Sequence, residues 1–458
     1  MAGSFDFSGC PTSIAPGAVA HWNATVRAFL AHGAATPDHL SATLDAAPDF
    51  AQGHAVRGLF CLLLGRREMV DTARDALTAA RAAAGRSPPE PHEQVYLDAL
   101  DDWLQGRPSA AAARLDALLI TEPRDALAMK LVQAIGFMMG QPRRMRQSIE
   151  QILPAWGDHP ALGYLQGCYA FALEETGDYV RAENMGRAAL RLAPDDAWGL
   201  HAVAHVHDMT GRAEEGLAWL SGRSHAWAHC NNFRFHVWWH IALMHLDLGQ
   251  IDRALALYDT EIRAERTDDY RDISNGAALL MRLELDGVDV GPRWQELADL
   301  SEARSGDGCL AFADLHYMLS LIGGERPLAA GRLLGRMASD AARAASESDR
   351  IIQRPGLTAA QGLEAFGEGN YAEAFRHLAA ARPDMQRIGG SHAQRDVFER
   401  LTIEAALRSG YLDAAERMLH ARKALRGGAE DGYHARRMAI IAAARYEARN
   451  SVNSGLYA

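Results

Sequence analysis

Two histidine pairs, His201/His205 and His236/His240, carry the densest chemistry in the chain. Within each pair the spacing is i,i+4, which on a helix stacks two imidazoles one turn apart on the same face. The pairs are in register with each other, since 236 − 201 and 240 − 205 are both 35. Brought together on neighbouring helices, they offer three or four nitrogens, a donor set suited to a divalent transition metal such as Zn, Fe, Cu or Ni. Burial and mutual repulsion lower an imidazole's pKa below its usual value near 6.5, so such a cluster is neutral at pH 7 and able to ligate. The same four residues could instead form a metal-free polar site for a small molecule, or line a groove without doing chemistry.

The elements that must position these rings repeat along the chain. Ala, Leu, Arg and Glu recur at three-and-four spacing, as in RAENMGRAALRLAP, and β-type alternation is scarce, so the chain reads as all-α. A Gly that ends one apolar helix is followed about five residues later by a small residue inside the next. The clearest cases are Gly177 to Ala182, Gly211 to Gly216, Gly249 to Ala254, Gly369 to Ala374 and Gly410 to Ala415, with Gly33, Gly65, Gly106, Gly140, Gly287 and Gly323 fitting more loosely. Steps between them scatter around the mid-thirties, the period of helix–turn–helix repeats that stack because no single pair buries its apolar face alone. This pattern resembles tetratricopeptide repeats, best over residues 163–196, where GDYVRAENMGRAALRLAPDD runs into Pro194. The implied fold is an all-α solenoid, a right-handed superhelix of antiparallel helix pairs with no sheet. Residues 1–20 form an extended lead-in, 21–425 the repeats, and 426–458 a capping helix and tail.

With each Gly set to position 15, the resemblance implies that positions 2, 5, 6, 9, 12 and 13 of the first helix line the concave groove. His201 and His205 then fall at 5 and 9, and His236 and His240 at 2 and 6 of the next repeat. Glu174 and Glu175 fall at 12 and 13, Asp208 at 12, Asp247 at 13 and Glu284 at 12. A carboxylate here could serve as a fifth ligand, hold an imidazole in place, or take a proton from a metal-bound water. Glu174, Asp208, His205 and His240 are the candidate catalytic groups.

Curling of the superhelix could add remoter residues. His316, His392, Arg395 and Asp396 are candidate substrate-binding groups, with Arg395 offering a planar fork to an anionic substrate. Trp239 and Asp272 complete that set, although Trp239 reads first as core and Asp272, like Asn231 and Asn232, as a helix N-cap. Ser391, His392 and Asp396 contain the residue types of a hydrolytic triad but come with no defined oxyanion hole. Cys230 beside His229 is a weak nucleophile candidate, because adjacent residues do not present side chains to each other.

Five segments carry a narrower likeness: HAVAHVHDMTGR (201–212), NNFRFHVWWHIALMHLDLG (231–249), DISNGAALLMRLELDG (272–287), FADLHYMLSL (312–321) and GGSHAQRDVFERL (389–401). They resemble the tetratricopeptide repeat protein 38 family. That resemblance implies a helical-repeat protein and little specific chemistry. His207 and Asp208 stand where the family has an apolar residue and a Glu.

Composition closes off other classes. The 458 residues carry a net charge of −11 and no basic stripe, which argues against nucleic acid as a partner. Lys130 and Lys423 are the only lysines and neither follows a Gly-rich turn, so there is no Walker phosphate loop. No nucleotide or pyridoxal phosphate cofactor is expected. No apolar run reaches the roughly 18 residues of a spanning helix, and the start has no secretory pattern, so the expectation is a cytoplasmic protein without a membrane partner. Five scattered cysteines fit reduced thiols. Two functions remain: a small-molecule binder or enzyme of metal-dependent hydrolase type, or an interaction scaffold holding a peptide in the groove. A groove rich in His, Glu and Asp tilts toward the first.

Overall fold

The protein is described here by a computed structural model covering residues 4–455. Helix takes up 76 % of the chain. The helices run as successive antiparallel pairs, from Val19–Leu30 with Thr36–Ala46 to His392–Arg408 with Leu412–Leu425, followed by the single helix Gly432–Gly455. Among the described residues, β-pairing is confined to Ser4–Phe5 against Pro11–Thr12 and one bridge between Gly33 and Cys230. No helix among them is long and apolar enough to cross a membrane.

The two helices of a pair differ in burial for a simple reason. In Tyr179–Leu192 only Ala182, Gly186 and Ala189 are buried, one stripe that packs on its partner. Its successor Ala197–Met209 buries residues on every side, from Ala197 and Leu200 to His205 and Met209. First helices therefore form the inner layer and second helices the outer one.

The turn glycines Gly177, Gly211, Gly249, Gly287, Gly369 and Gly410 all have φ between 68 and 83°, the left-handed conformation that closes a helix C-terminus and that a Cβ disfavours. The looser register fails at two points. Gly33 and Gly323 are not left-handed, and the residue that takes positive φ is His32 (58°) in one turn and Glu325 (55°) in the other.

These turns also make the seam between successive turns of the superhelix. Arg66 pairs with Asp268 and Glu68 with Arg304, at 2.7 Å each. The Glu347 amide donates to the Gly106 carbonyl, the His392 amide to Glu175 at 2.7 Å, and Arg426 to Asp208 at 3.2 Å. Partners are 202 to 241 residues apart where their spacing runs from Arg66–Asp268 to Gly106–Glu347. Gly140 is required twice: its φ is 61°, and a Cβ there would overlap the Gln386 carbonyl of the adjoining turn. The inner helices are thus enclosed, with polar residues facing one another across a packed interior.

Candidate metal centre

Four first helices build the centre: Leu162–Glu174, Ala197–Met209, Phe233–Asp247 and Tyr270–Leu285. Asp196 starts the second of them by accepting the Gly199 amide at 3.1 Å, which fixes where His201 and His205 emerge. His201, His205 and His240 are 0–1 % exposed and His236 is 9 % exposed. Their Nε2 atoms converge. His205 lies 2.8 Å from His201, His201 3.0 Å from His236, and His236 3.2 Å from His240. One ligand atom from each lies within 4.8 Å of every other.

The outward Nδ1 atoms show what orients the rings. His236 Nδ1 donates to Asn275 Oδ1 at 2.9 Å, which leaves Nε2 as the lone-pair nitrogen aimed at the other three. His205 Nδ1 faces Glu174 Oε2 at 3.6 Å. Burial, then the neighbouring imidazoles, hold His201 and His240 well below the usual range, and His205 falls with them. Burial brings His236 down to about 4, against the opposing pull of Asn275. The four rings are neutral near pH 7, the form that binds metal. Phe171 and Trp198 flank His201, and Trp239 stacks on His236 at 5.2 Å. This apolar wall leaves the ring nitrogens few partners besides one another.

The remaining candidate residues fall into three places. Glu174, on the neighbouring helix, is 0 % exposed with neither carboxylate oxygen hydrogen-bonded; burial, with Glu175 and Asp208 nearby, pushes it well above the carboxylate range. Its contact with Nδ1, on the far side of the ring from the converging Nε2 atoms, suits an orienting role. His392 and Arg395 arrive from the adjoining superhelical turn. The His392 amide and the Arg395 guanidinium both donate to Glu175, the latter at 3.3 Å. Arg395 is also bonded to the Gly389 and Gly390 carbonyls, so closure of the seam engages the fork expected to greet an anion.

Asp208 and Asp396 belong to a different cluster. Asp208 binds Arg426, and Asp396 binds Arg400 at 2.7 Å and Arg422 at 2.6 Å. With Arg282 they border a cavity of ≈ 20 Å³, space for about one water. The triad residues do not assemble, because Ser391 Oγ accepts the Gln394 amide as a helix cap while Asp396 faces the arginines. His316 donates from Nδ1 to the Phe312 carbonyl at 2.7 Å and packs between Phe312 and Phe398.

Two further expectations are corrected. Asp269, not Asp272, caps the Tyr270–Leu285 helix; Asp272 instead accepts from Asn232 at 2.6 Å and from Thr267. Cys230 Sγ does approach the adjacent His229 Nε2, at 3.7 Å, because the chain turns there onto Ala31. Burial pushes this thiol up to about 12, which removes it as a nucleophile. The residue sequence reasoning missed is Asn275. It sits at position 3 of its repeat, outside the positions taken as groove lining.

Fold and centre together define an all-α protein of stacked antiparallel helix pairs with an imidazole cluster among its inner helices. No protein-family model matches the chain. Among solved structures, a human IFIT1 dimer with PPP-AAAA is 14 % identical over 79 % of this chain and 84 % of that one, with a TM-score of 0.39. A human IFIT1 dimer with m7Gppp-AAAA is 14 % identical over 86 % and 90 %, with a TM-score of 0.35. A Naa15/Naa10 structure bound to HypK-THB is 11 % identical over 89 % and 64 %, with a TM-score of 0.26.

Proposed function

We propose that this chain is a transition-metal protein in which His201, His205, His236 and His240 bind one divalent ion between neighbouring repeats. The observation that carries this is the convergence of four buried Nε2 atoms at 2.8–3.2 Å along the chain of rings, where lone pairs repel unless protons or a metal sit between them. Asn275 supports the reading as the outer partner of His236, the arrangement that fixes tautomer and ring orientation in His-bound metal sites. The motifs at 201–212, 231–249, 272–287, 312–321 and 389–401 support placement in the tetratricopeptide repeat protein 38 family. We take residues 21–425 as one solenoid, 426–458 as its capping helix and a tail whose last residues, 456–458, lie outside the described ones, and the cytoplasm as its compartment.

The ion joins two repeats and so stabilises the interior. Small-molecule hydrolysis, the enzymatic form of this reading, needs in addition a coordination position for water, because four imidazoles complete a tetrahedral shell. A second reading, an interaction scaffold for a peptide or protein partner, draws on the outer helices. Ile120, Val180, Leu192 and Leu328 lie on them at 57 to 80 % exposure, apolar surface available to a partner. The donor set favours the metal. The test is metal content of protein purified without a polyhistidine tag, for wild type, His205→Ala and His240→Ala. Stoichiometric metal in wild type, lost in His205→Ala and lowered in His240→Ala, is expected. Equal substoichiometric content in all three would overturn the metal reading and favour the scaffold.

A further inference from the structure

Glu174 is the least accommodated polar group near the centre. It is 0 % exposed and neither oxygen meets a hydrogen-bond donor, a costly arrangement for a carboxylate unless something positive lies against it. The acids around it are provided for: Glu175 has Arg395 and the His392 amide, and Asp208 has Arg426. Glu174 has no such partner: both of its oxygens are buried and unbonded.

The group nearest to it is also without a partner. His205 Nδ1 is buried, unbonded and 3.6 Å from Glu174 Oε2. Glu174, Glu175 and His205 each offer a ligand atom within 4.8 Å of the others. His205 Nε2 already points the opposite way, at His201.

We propose a second divalent transition-metal site formed by Glu174, Glu175 and His205 Nδ1, so that His205 bridges two ions through its two ring nitrogens. The proposal rests on the four-histidine reading, since His205 is shared. Two carboxylates and one imidazole suit Zn, Mn or Fe. Binding at Nδ1 displaces the last ring proton to solvent and leaves an imidazolate whose two lone pairs each hold a metal. The incoming cation also meets the two Glu174 oxygens, which no donor bonds. With three protein donors instead of four, this second position keeps the coordination opening that the four-histidine site lacks, beside Glu175, His392 and Arg395 of the seam. A hydrolytic water would be activated there.

Apo-protein made by chelation is reloaded with Zn²⁺, freed of excess, and its zinc per chain counted by elemental mass spectrometry. Two zinc ions per wild-type chain and one per Glu174→Gln chain are expected. One ion in wild type overturns the second site and leaves the first standing; none overturns both. Two ions in both proteins also overturn it, because the second ion then lies elsewhere. Should Glu174→Gln not fold, Cu²⁺-loaded wild type decides. An imidazolate-bridged pair gives a magnetically coupled electron paramagnetic resonance spectrum, whereas an isolated Cu²⁺ signal contradicts the bridge.

Discussion

The interior holds two polar clusters on the same inner helices, and they satisfy themselves in opposite ways. One is the imidazole set, with His205, His240 and Asn275 within these helices. One to two turns further along, Asp208, Asp247 and Arg282 lead into the second, a cluster of ion pairs. There, Asp396 is held by Arg400 and Arg422, and Arg422 reaches Asp431 at 2.7 Å. Arg437 joins Glu404 to Asp286. Asp396, Asp431, Glu404 and Asp286 each meet a guanidinium there. The imidazole set leaves the Nδ1 atoms of His201, His205 and His240 and both Glu174 oxygens without hydrogen bonds. Buried polar groups in folded proteins are ordinarily paired. The contrast therefore marks the ion-pair cluster as structure and the imidazole set as a place for a ligand.

The largest effect should come from breaking the saturated cluster. Arg422→Met leaves Asp396 and Asp431 short of their main cation, and removing one partner of a buried pair costs about 3–5 kcal/mol. Urea unfolding should show that loss while metal content, set by the other cluster, stays at the wild-type level. A variant as stable as wild type would erase the distinction between the two regions.

How much of this could be read in advance follows from the range of the interactions. Periodicity is local, so the glycines that turn helix pairs and the 35-residue offset of the histidine pairs were legible in the sequence. The seam was not. Glu175 meets His392 across 217 residues and Asp208 meets Arg426 across 218, and no repeat period encodes which edges touch. Closure is what moves Asp208 from candidate chemistry into an ion pair and engages Arg395, whereas Asp396 meets Arg400 and Arg422 of its own helix pair. Asn275 escaped for a different reason, lying one position off the assumed groove-facing set.

A smaller effect sharpens the imidazole side. Asn275→Ala frees the His236 ring without removing a ligand. Loss of such an outer partner lowers metal affinity about 10- to 100-fold, measurable by competition with a chromophoric chelator. Unchanged affinity would mean that Asn275 does not set the ring.

A further signature is a pH dependence. Against the rise that burial causes, Arg422 and Arg426 hold Asp431 down at about 2, and Arg422 and Arg400 hold Asp396 well below its usual range. Folded values below unfolded ones mean stability that is complete above the unfolded value near 3.9 and lost as pH falls toward 2. His316, held down to about 3 by burial, acts higher. Its unfolded form takes a proton below about 6.5, so it lowers stability as pH falls from about 6.5 toward 3, by at most about 1.4 kcal/mol per pH unit. His316→Phe should take one imidazole's share from the slope of stability against pH between 6.5 and 4 and leave the fall below 4 intact. A curve unchanged in both windows would refute the assignment.

The central claim is that the four imidazoles are a ligand set. X-ray absorption at the metal edge of untagged protein tests it at the bond itself. The account predicts a first shell of imidazole nitrogens at about 2.0–2.1 Å for zinc, with outer-ring scattering from several imidazoles, and its weakening in His240→Ala. A shell of oxygens without imidazole scattering, or a spectrum that His240→Ala does not alter, would contradict it.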